Sequence, residues 1–559
     1  MVFRSRWTVD IPECSLPTYI FKTPEEPVSK TFHTFVDADR PDTHYLTTFE
    51  FRLYAQRLAA GLKKAGFQDG ERVLVFSPNT LFYPVVFMGV IMAGGIFTGA
   101  NPTYTPRELA YQFKDSGARY LFCVDDALST AIQAMKSLGK GKENIFVFNS
   151  EVKGGLPLPA TDGCRHWTDL LVSEVEGAKY QWKNLQGPGE SANTTLALNY
   201  SSGTTGLPKG VEVTHRNYIT STIQTTFWLG PQNASDASRF LGPLPMYHAM
   251  GQSVFVSCAK EKDRQMYIMT KFDFARFVAY IEKYRITSCL IVPPIAVALA
   301  KSPIVKKYDL SSMSKIVCAA APLGMAVTKE VEAVFGNRFH VRQGWGMTEA
   351  TCGHTAWRTN DDGISTSVGE LLPNAELKII DEDGVTELGV NQPGELWIRG
   401  PNIMKGYWKK PDATKQAFSE DGQWFKTGDI GYVTEEGKFY IIDRKKELIK
   451  VKGNQVAPAE LEALLLQHPA VADAAVIGIS REYEEFPRAY IVLKPEQEVS
   501  EKEIFEFISA RVHKTKRLTG GVRFVGEIPK NPSGKILRRS LRDQVKREEG
   551  GNGMVRSML

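Results

Sequence analysis

Apolar and polar positions change their period several times along this chain, and the changes divide it into regions. Between about residues 50 and 300, short continuous apolar runs alternate with stretches of helical period. The runs "ERVLVFS" (71–77), "ARYLFCV" (118–124), "NIFVFN" (144–149) and "ITSCLIVPP" (286–294) are bounded by charge, glycine or proline, as buried strands are. Patterns such as "FARFVAYIEKY" (274–284) fall between them. That rhythm predicts an α/β architecture with largely parallel sheets. The most apolar stretch, "PVVFMGVIMAGGIFTGA" (84–100), is shorter than the roughly 20 residues of a membrane span and holds four glycines. It predicts a buried helix running into a turn.

After about residue 365 the texture changes. "AELKIID", "GELWIRG" and "GKFYIID" read as short strands separated by turn signals, a small antiparallel β unit. Beyond "DRKKE" (443–447), patterns such as "PAELEALLLQHP", "VADAAVIGI", "RAYIVLK" and "EKEIFEFISARV" predict a separate compact α+β domain. The expected division is therefore 1–444, 445–545 and a glycine-rich tail at 546–559.

Composition narrows the class. The 559 residues are 43% hydrophobic and 23% charged, ordinary for a globular protein and too many residues for one domain. A net charge of +5 without basic clusters argues against a nucleic-acid binder. The seven cysteines are widely spaced and form no C-x-x-C, so neither a disulfide framework nor a zinc site is expected, and a reducing compartment is. The N-terminal "MVFRSRWTVD" lacks the apolar core of a signal peptide.

The chemistry concentrates in "YSSGTTGLPKG" (200–210). A P-loop requires G-x-x-x-x-G-K-[ST] between a strand and a helix. Here "TTLALNY" precedes the loop and "GVEVTH" follows it, both with strand character, so the loop is expected at a hairpin tip. Such a tip offers backbone N–H groups and hydroxyls to a polyphosphate, with Lys209 adding charge. Four further motifs accompany it: "QGWGMTE" (343–349), "KTGD" (426–429), "DRKKELIKVKGNQVAPAELE" (443–462) and "PKNPSGKILRR" (529–539). Together they resemble, in order and spacing, the adenylate-forming superfamily of acyl-CoA ligases, peptide-synthetase adenylation domains and beetle luciferases. The resemblance runs from about residue 45 to 540, and "LPMYHAMG", "CAAAPLG" and "VKGNQVAPAELE" look most like the 4-coumarate–CoA ligase and luciferase branch.

The resemblance implies a large N-terminal domain, built of two α/β subdomains and a small β-barrel-like one, followed by a small mobile α+β domain. It also implies ATP, Mg²⁺ and coenzyme A, with a carboxylic acid activated as acyl-AMP and then transferred to a thiol. ATP and AMP would be held by Ser201, Ser202, Gly203, Thr204, Thr205, Gly206 and Lys209, and by Gln343, Gly344, Trp345, Gly346 and Thr348. Trp345 stands where the family usually has Tyr and would stack on adenine. Asp429 would accept from the ribose hydroxyls beside Arg444, and Glu349 would hold the metal. Lys535 would bridge carboxylate and α-phosphate, then leave by a hinge at Lys446 as Lys450, Lys452, Gly453 and Gln455 arrive for thioester formation. Lys271 would meet the CoA phosphates. "SREYEEFPRAY" lacks a glycine common in that loop of the family, which touches the C-terminal contacts only.

His248 would stand at the mouth of the acyl pocket, with Met250, Ala319, Ala320, Ala321, Gly346 and Cys352 along it. These small or apolar residues suit a fatty acid or a cinnamate-like aryl acid. Met250 replaces a Tyr common in coumarate ligases and supplies no hydrogen bond to a phenol. Two other readings stay open: an enzyme that loads a carrier-protein thiol in trans, and a non-catalytic nucleotide sensor. The terminal Ser557-Met558-Leu559 resembles the S-K-L address read by a peroxisomal import receptor, so peroxisome or cytoplasm is expected.

Overall fold

The computed structural model describes residues 1–151, 161–201, 207–229, 238–261, 263–358, 365–452, 454–481, 484–531, 534–545 and 547. Two large sheets dominate. In the first, the apolar runs appear as parallel strands Ile96–Ala100, Arg72–Phe76, Tyr120–Cys123 and Ile145–Val147, in that spatial order. Thr195–Ser201 joins them in parallel beside Ile96–Ala100 and pairs antiparallel with Lys209–Thr214, placing Ser201 opposite Lys209. The expected hairpin flanks are thus present. Its tip, Ser202, Gly203, Thr204, Thr205 and Gly206, lies outside the described residues.

The second large sheet runs Arg342–Gln343, Lys315–Cys318, Ser288–Ile291, Ser238–Gly242, Arg264–Ile268, His33–Asp37 and Tyr45–Thr47, parallel except for its last pair. Every residue of the helix Tyr83–Met92 is buried, so it is a core helix feeding the strand Ile96–Ala100. Gly89 lets it approach the helix Thr48–Lys64, since a Cβ there would stand 2.9 Å from the Leu58 side chain. Among the described residues no helix is long and apolar enough to cross a membrane.

The antiparallel unit orders its strands Val2–Arg4, Glu376–Ile380, Gly394–Arg399, Phe425–Val433 and Phe439–Arg444. The local pattern had not marked Val2–Arg4, because a three-residue edge strand carries no period and its partner lies far along the chain. Beyond it, the strands Val471–Arg481, Glu484–Leu493 and Gly521–Phe524 pack with the helices Pro458–Leu465 and Glu501–Ser509. They enclose a core of their own, containing Leu461, Leu465, Val476, Ile491 and Ile504.

Candidate active site

The strand ends of the two large sheets, the antiparallel unit and the C-terminal region meet around one cleft of about 1590 Å³. Ser201 and Lys209 enter it from the base of the hairpin, and Gln343, Gly344, Trp345, Gly346, Thr348 and Glu349 from the segment after Arg342–Gln343. Asp429 and Arg444 enter from adjacent strands of the antiparallel unit, and Lys535 from the far C-terminal segment. A smaller cavity of about 100 Å³ lies beside the cleft, and His248, Ala320, Gly346, Thr348 and Lys535 border both.

Asp429 is the best-anchored group. It pairs in register with Arg444 across the sheet, so the guanidinium reaches its Oδ1 at 2.9 Å. The indole N–H of Trp345 donates to its Oδ2 at 2.8 Å. Trp345 is buried, with its ring edge-on to His354. Its visible work is therefore to orient the carboxylate, a function that Tyr-to-Trp replacement at this position had not suggested. A carboxylate accepts more than one hydrogen bond per oxygen, so acceptor capacity remains for a sugar hydroxyl.

Glu349 sits in the single turn Thr348–Ala350. The hydroxyl of Tyr407 donates to its Oε1 at 3.0 Å, and the Lys209 ammonium lies 4.7 Å from the centre of the Tyr407 ring. Burial, and then the charge of Glu349, push the Tyr407 hydroxyl pKa up, so it stays a donor. Tyr407 was not anticipated from the sequence; its position next to the loop becomes visible only when Gly406–Tyr407 pairs with Lys209–Thr214. Gln343 directs its amide to another task, donating to and accepting from the backbone of Leu323.

Lys535 stands at the junction of the cleft and the cavity. Burial pushes its pKa down, the Arg444 charge pushes the same way, and Asp429 and Glu349 oppose them. Its backbone is fixed by Asn531, whose Oδ1 accepts from the Lys535 N–H at 2.9 Å. Gly534, with φ of +79°, packs onto Pro294 of the second sheet's region. His248 caps the helix Ala249–Lys260, its Nδ1 accepting from the Met250 N–H at 3.3 Å. Burial, with a smaller push from Lys535, lowers its pKa to about 4, so the imidazole is neutral at physiological pH.

Met250, Ala319 and Cys352 line the small cavity with His248, Ala320 and Gly346, whereas Ala321 faces the larger cleft. Gly346 has no alternative: a Cβ there would stand 1.7 Å from the Cys352 carbonyl oxygen. The neighbouring turn is strained, with Thr351 at φ +49° and Cys352 at φ +95°. Asn402 and Ser221 hold it through hydrogen bonds to the carbonyls of Ala350, Gly353 and Thr351. The cavity also has polar walls that the sequence did not mark, among them Ser221, Gln224, Ser257 and Thr355.

Four residues expected at a thioester site stand apart. Lys271, Lys450, Lys452 and Gln455 are exposed and border neither the cleft nor the cavity; the Gln455 amide donates to Glu382. Gly453 lies outside the described residues, and Lys446 is exposed two residues past the end of Phe439–Arg444.

A cleft with a positioned carboxylate–guanidinium pair, a glutamate beside it and a C-terminal lysine at the mouth of a small cavity suits a nucleotide-binding, acid-activating enzyme. The model of the AMP-binding enzyme family matches residues 22–408, and that of the AMP-binding enzyme C-terminal domain matches residues 460–535. The chain belongs to the AMP-binding enzyme family. It is 36% identical to a phenylacetyl-CoA ligase of Aspergillus niger, over 98% of this chain and 100% of that one. It is 38% identical to a 4-coumarate–CoA ligase of Solanum tuberosum, over 91% and 90% of the two chains. Among solved structures, ATP-bound MatB from Rhodopseudomonas palustris matches with a TM-score of 0.80 and 26% identity, over 95% of this chain and 99% of that one.

Proposed function

We propose that this protein is an ATP-dependent acyl- or aryl-CoA ligase. It activates a carboxylic acid as its acyl-adenylate and passes the acyl group to coenzyme A. The single observation that carries the reading is the position of Lys535: a C-terminal cation bordering both the acyl-sized cavity and the cleft that holds Glu349, Asp429 and Arg444.

In the first step a carboxylate oxygen forms a bond to the α-phosphorus of ATP, and the bond to the pyrophosphate oxygen breaks. Two anions approach, so positive charge must stand where the new bond forms. Lys535 supplies it from the side of the acyl cavity. Asp429, fixed by Arg444 and Trp345, accepts from the ribose and sets the position of the α-phosphorus. His248, neutral, closes the cavity mouth without adding a proton. Glu349 suits Mg²⁺, which takes one or two protein carboxylates and completes its shell with phosphate oxygens and water. Tyr407 engages one carboxylate oxygen of Glu349, and the carboxylate would keep acceptor capacity for the ion. When bound there, magnesium neutralises phosphate charge. In the second step the thiol sulfur attacks the acyl carbon, its proton is lost, and AMP leaves.

Lys450, Lys452 and Gln455 stand away from the cleft in this arrangement, which supports a second orientation of the C-terminal region for thioester formation, turning near Lys446. The test of the function is carboxylate-dependent exchange of pyrophosphate into ATP, followed by thioester yield with coenzyme A. A nucleotide sensor shows no exchange; an enzyme serving a carrier protein shows exchange, with thioester formed on the phosphopantetheinylated carrier in place of coenzyme A. Ser557-Met558-Leu559 lie outside the described residues. We propose them as a peroxisomal address, which a fluorescent fusion with and without the tripeptide tests.

A further inference from the structure

Ser201 and Lys209 are register partners at the cleft end of the hairpin, and both line the cleft. The pairing of the hairpin with its neighbouring strands lies further back. Thr195–Ser201 is in register with Ile96–Ala100 at Ala197 and Phe97, and Lys209–Thr214 with Gly406–Tyr407 at Val211 and Glu212. Nearer the cleft, the Trp408 N–H donates to the Gly210 carbonyl at 2.8 Å, and side chains from outside the cleft take over.

The helix Pro106–Ser116 supplies them. Its Leu109 and Phe113 are buried in the core against the first large sheet, and a capping box of Thr105 and Glu108 closes its first turn. Tyr111 and Asp115 stand one helical turn apart, on the same face. The Tyr111 hydroxyl donates to the Pro208 carbonyl at 2.9 Å, immediately before Lys209. Asp115 serves both flanks of the hairpin end: its Oδ2 accepts from the Tyr200 hydroxyl at 2.7 Å, and its Oδ1 from the Lys410 ammonium at 2.6 Å. Tyr200 precedes Ser201, and Lys410 follows Tyr407, whose ring lies against Lys209 and whose hydroxyl meets Glu349. Burial, and then Asp115, push the Tyr200 hydroxyl pKa up, and Asp115 raises that of Lys410, so both stay donors. The packing between the two flanks is close. A Cβ at Gly210 would stand 3.2 Å from the Tyr200 ring and 3.4 Å from the Trp408 side chain.

We propose that Asp115 and Tyr111 are positioning residues for the polyphosphate end of ATP, an inference that rests on the ligase reading above. Neither borders the cleft; they act through Tyr200, Pro208 and Lys410 to hold Ser201, Lys209 and Tyr407 where they are. The sugar end is anchored separately, by Asp429 with Arg444 and Trp345. Loosening the helix contact therefore frees the charge of Lys209 from the outer phosphates and leaves the grip on the nucleoside intact.

The test measures equilibrium binding of ATP and of AMP to the full-length protein by calorimetry, with Mg²⁺ and without acid. Asp115→Asn should raise the Kd for ATP about tenfold, the effect of losing a charge-assisted hydrogen bond, and Tyr111→Phe should raise it several-fold. The Kd for AMP should stay within about twofold, and thioester formation from supplied acyl-AMP within a few-fold. Adding Lys410→Met to Asp115→Asn should cost little more, because the two substitutions remove one shared ion pair. The proposal is overturned if both single variants bind ATP as the wild type does. It is equally overturned if ATP affinity, AMP affinity and thioester formation fall together, as a purely structural role of the helix contact would produce. A wild type that exchanges no pyrophosphate with any acid strikes the ligase reading, while the ratio of ATP to AMP affinity in the variants still decides the positioning role.

Discussion

Two histidines should make the protein lose stability on mild acidification. His215 is 6% exposed and His354 is fully buried. Burial lowers their pKa values from 6.5 to about 3 and about 4. His215 is also committed to its neutral form by a hydrogen bond, its Nδ1 accepting from the Leu16 N–H at 2.9 Å; His354 Nε2 donates to the Glu376 carbonyl at 3.2 Å, a bond that opposes the downward shift, and burial outweighs it. Because the folded pKa values are depressed, the unfolded chain binds protons first as pH falls below 6.5. Stability from these groups is thus full above pH 6.5 and is lost progressively towards pH 4, where the folded His354 begins to titrate. Between pH 7.5 and pH 5 each histidine should cost about 2 kcal/mol, the free energy of protonating the unfolded imidazole at about 1.5 units below its pKa. Two such losses, about 4 kcal/mol, are large against a typical total of about 5–15 kcal/mol. Urea unfolding at the two pH values, for the wild type and for His215→Gln and His354→Gln, measures the difference. Each substitution should reduce the loss between pH 7.5 and pH 5 by about 2 kcal/mol. Equal losses in wild type and variants, or imidazole NMR resonances titrating near 6.5 in the folded protein, would refute the reasoning.

Three predictions concern the site. Lys535→Ala should lower adenylation about 100-fold or more, as loss of an electrostatic donor does, while thioester formation from supplied acyl-AMP stays within a few-fold. Equal loss in both half-reactions would exclude two orientations. Tyr407→Phe keeps the ring beneath Lys209 and removes the hydrogen bond to Glu349, so the Mg²⁺ concentration for half-maximal pyrophosphate release should rise about tenfold; an unchanged requirement would remove Glu349 from the metal. Gly346→Ala places a methyl group against the Cys352 carbonyl, so acid activation should be abolished and the melting temperature lowered. A variant with wild-type KM for the acid would show that this segment yields more readily than its packing implies.

The buried strands were legible because each apolar run is set by its own surroundings. "ERVLVFS" became Arg72–Phe76, "ARYLFCV" became Tyr120–Cys123, and "ITSCLIVPP" became Ser288–Ile291. The hairpin flanks and the core helix before Ile96–Ala100 were legible for the same reason. Motif spelling picked out Lys209, Glu349, Asp429, Arg444 and Lys535, and the structure gathers all five around one cleft. Tyr407 escaped notice because its significance depends on an antiparallel pairing with Lys209–Thr214, nearly two hundred residues earlier in the chain. The polar cavity walls, among them Ser221 and Ser257, escaped because a polar residue in a helix looks solvated until its neighbours are known.

Local order in this chain is written in its residues, since the period of apolar positions and the presence of glycine or proline act within one element. Those features dictated α/β alternation, the later antiparallel strands and the segments that carry charge. Which segments meet was decided elsewhere, by the packing of sheets whose strands come from opposite ends of the chain. Packing placed Trp345 beside Asp429 and set Val2–Arg4 on an edge completed by Glu376–Ile380. Hydrogen bonds of that kind depend on distance in space, and separation along the chain carries no information about it.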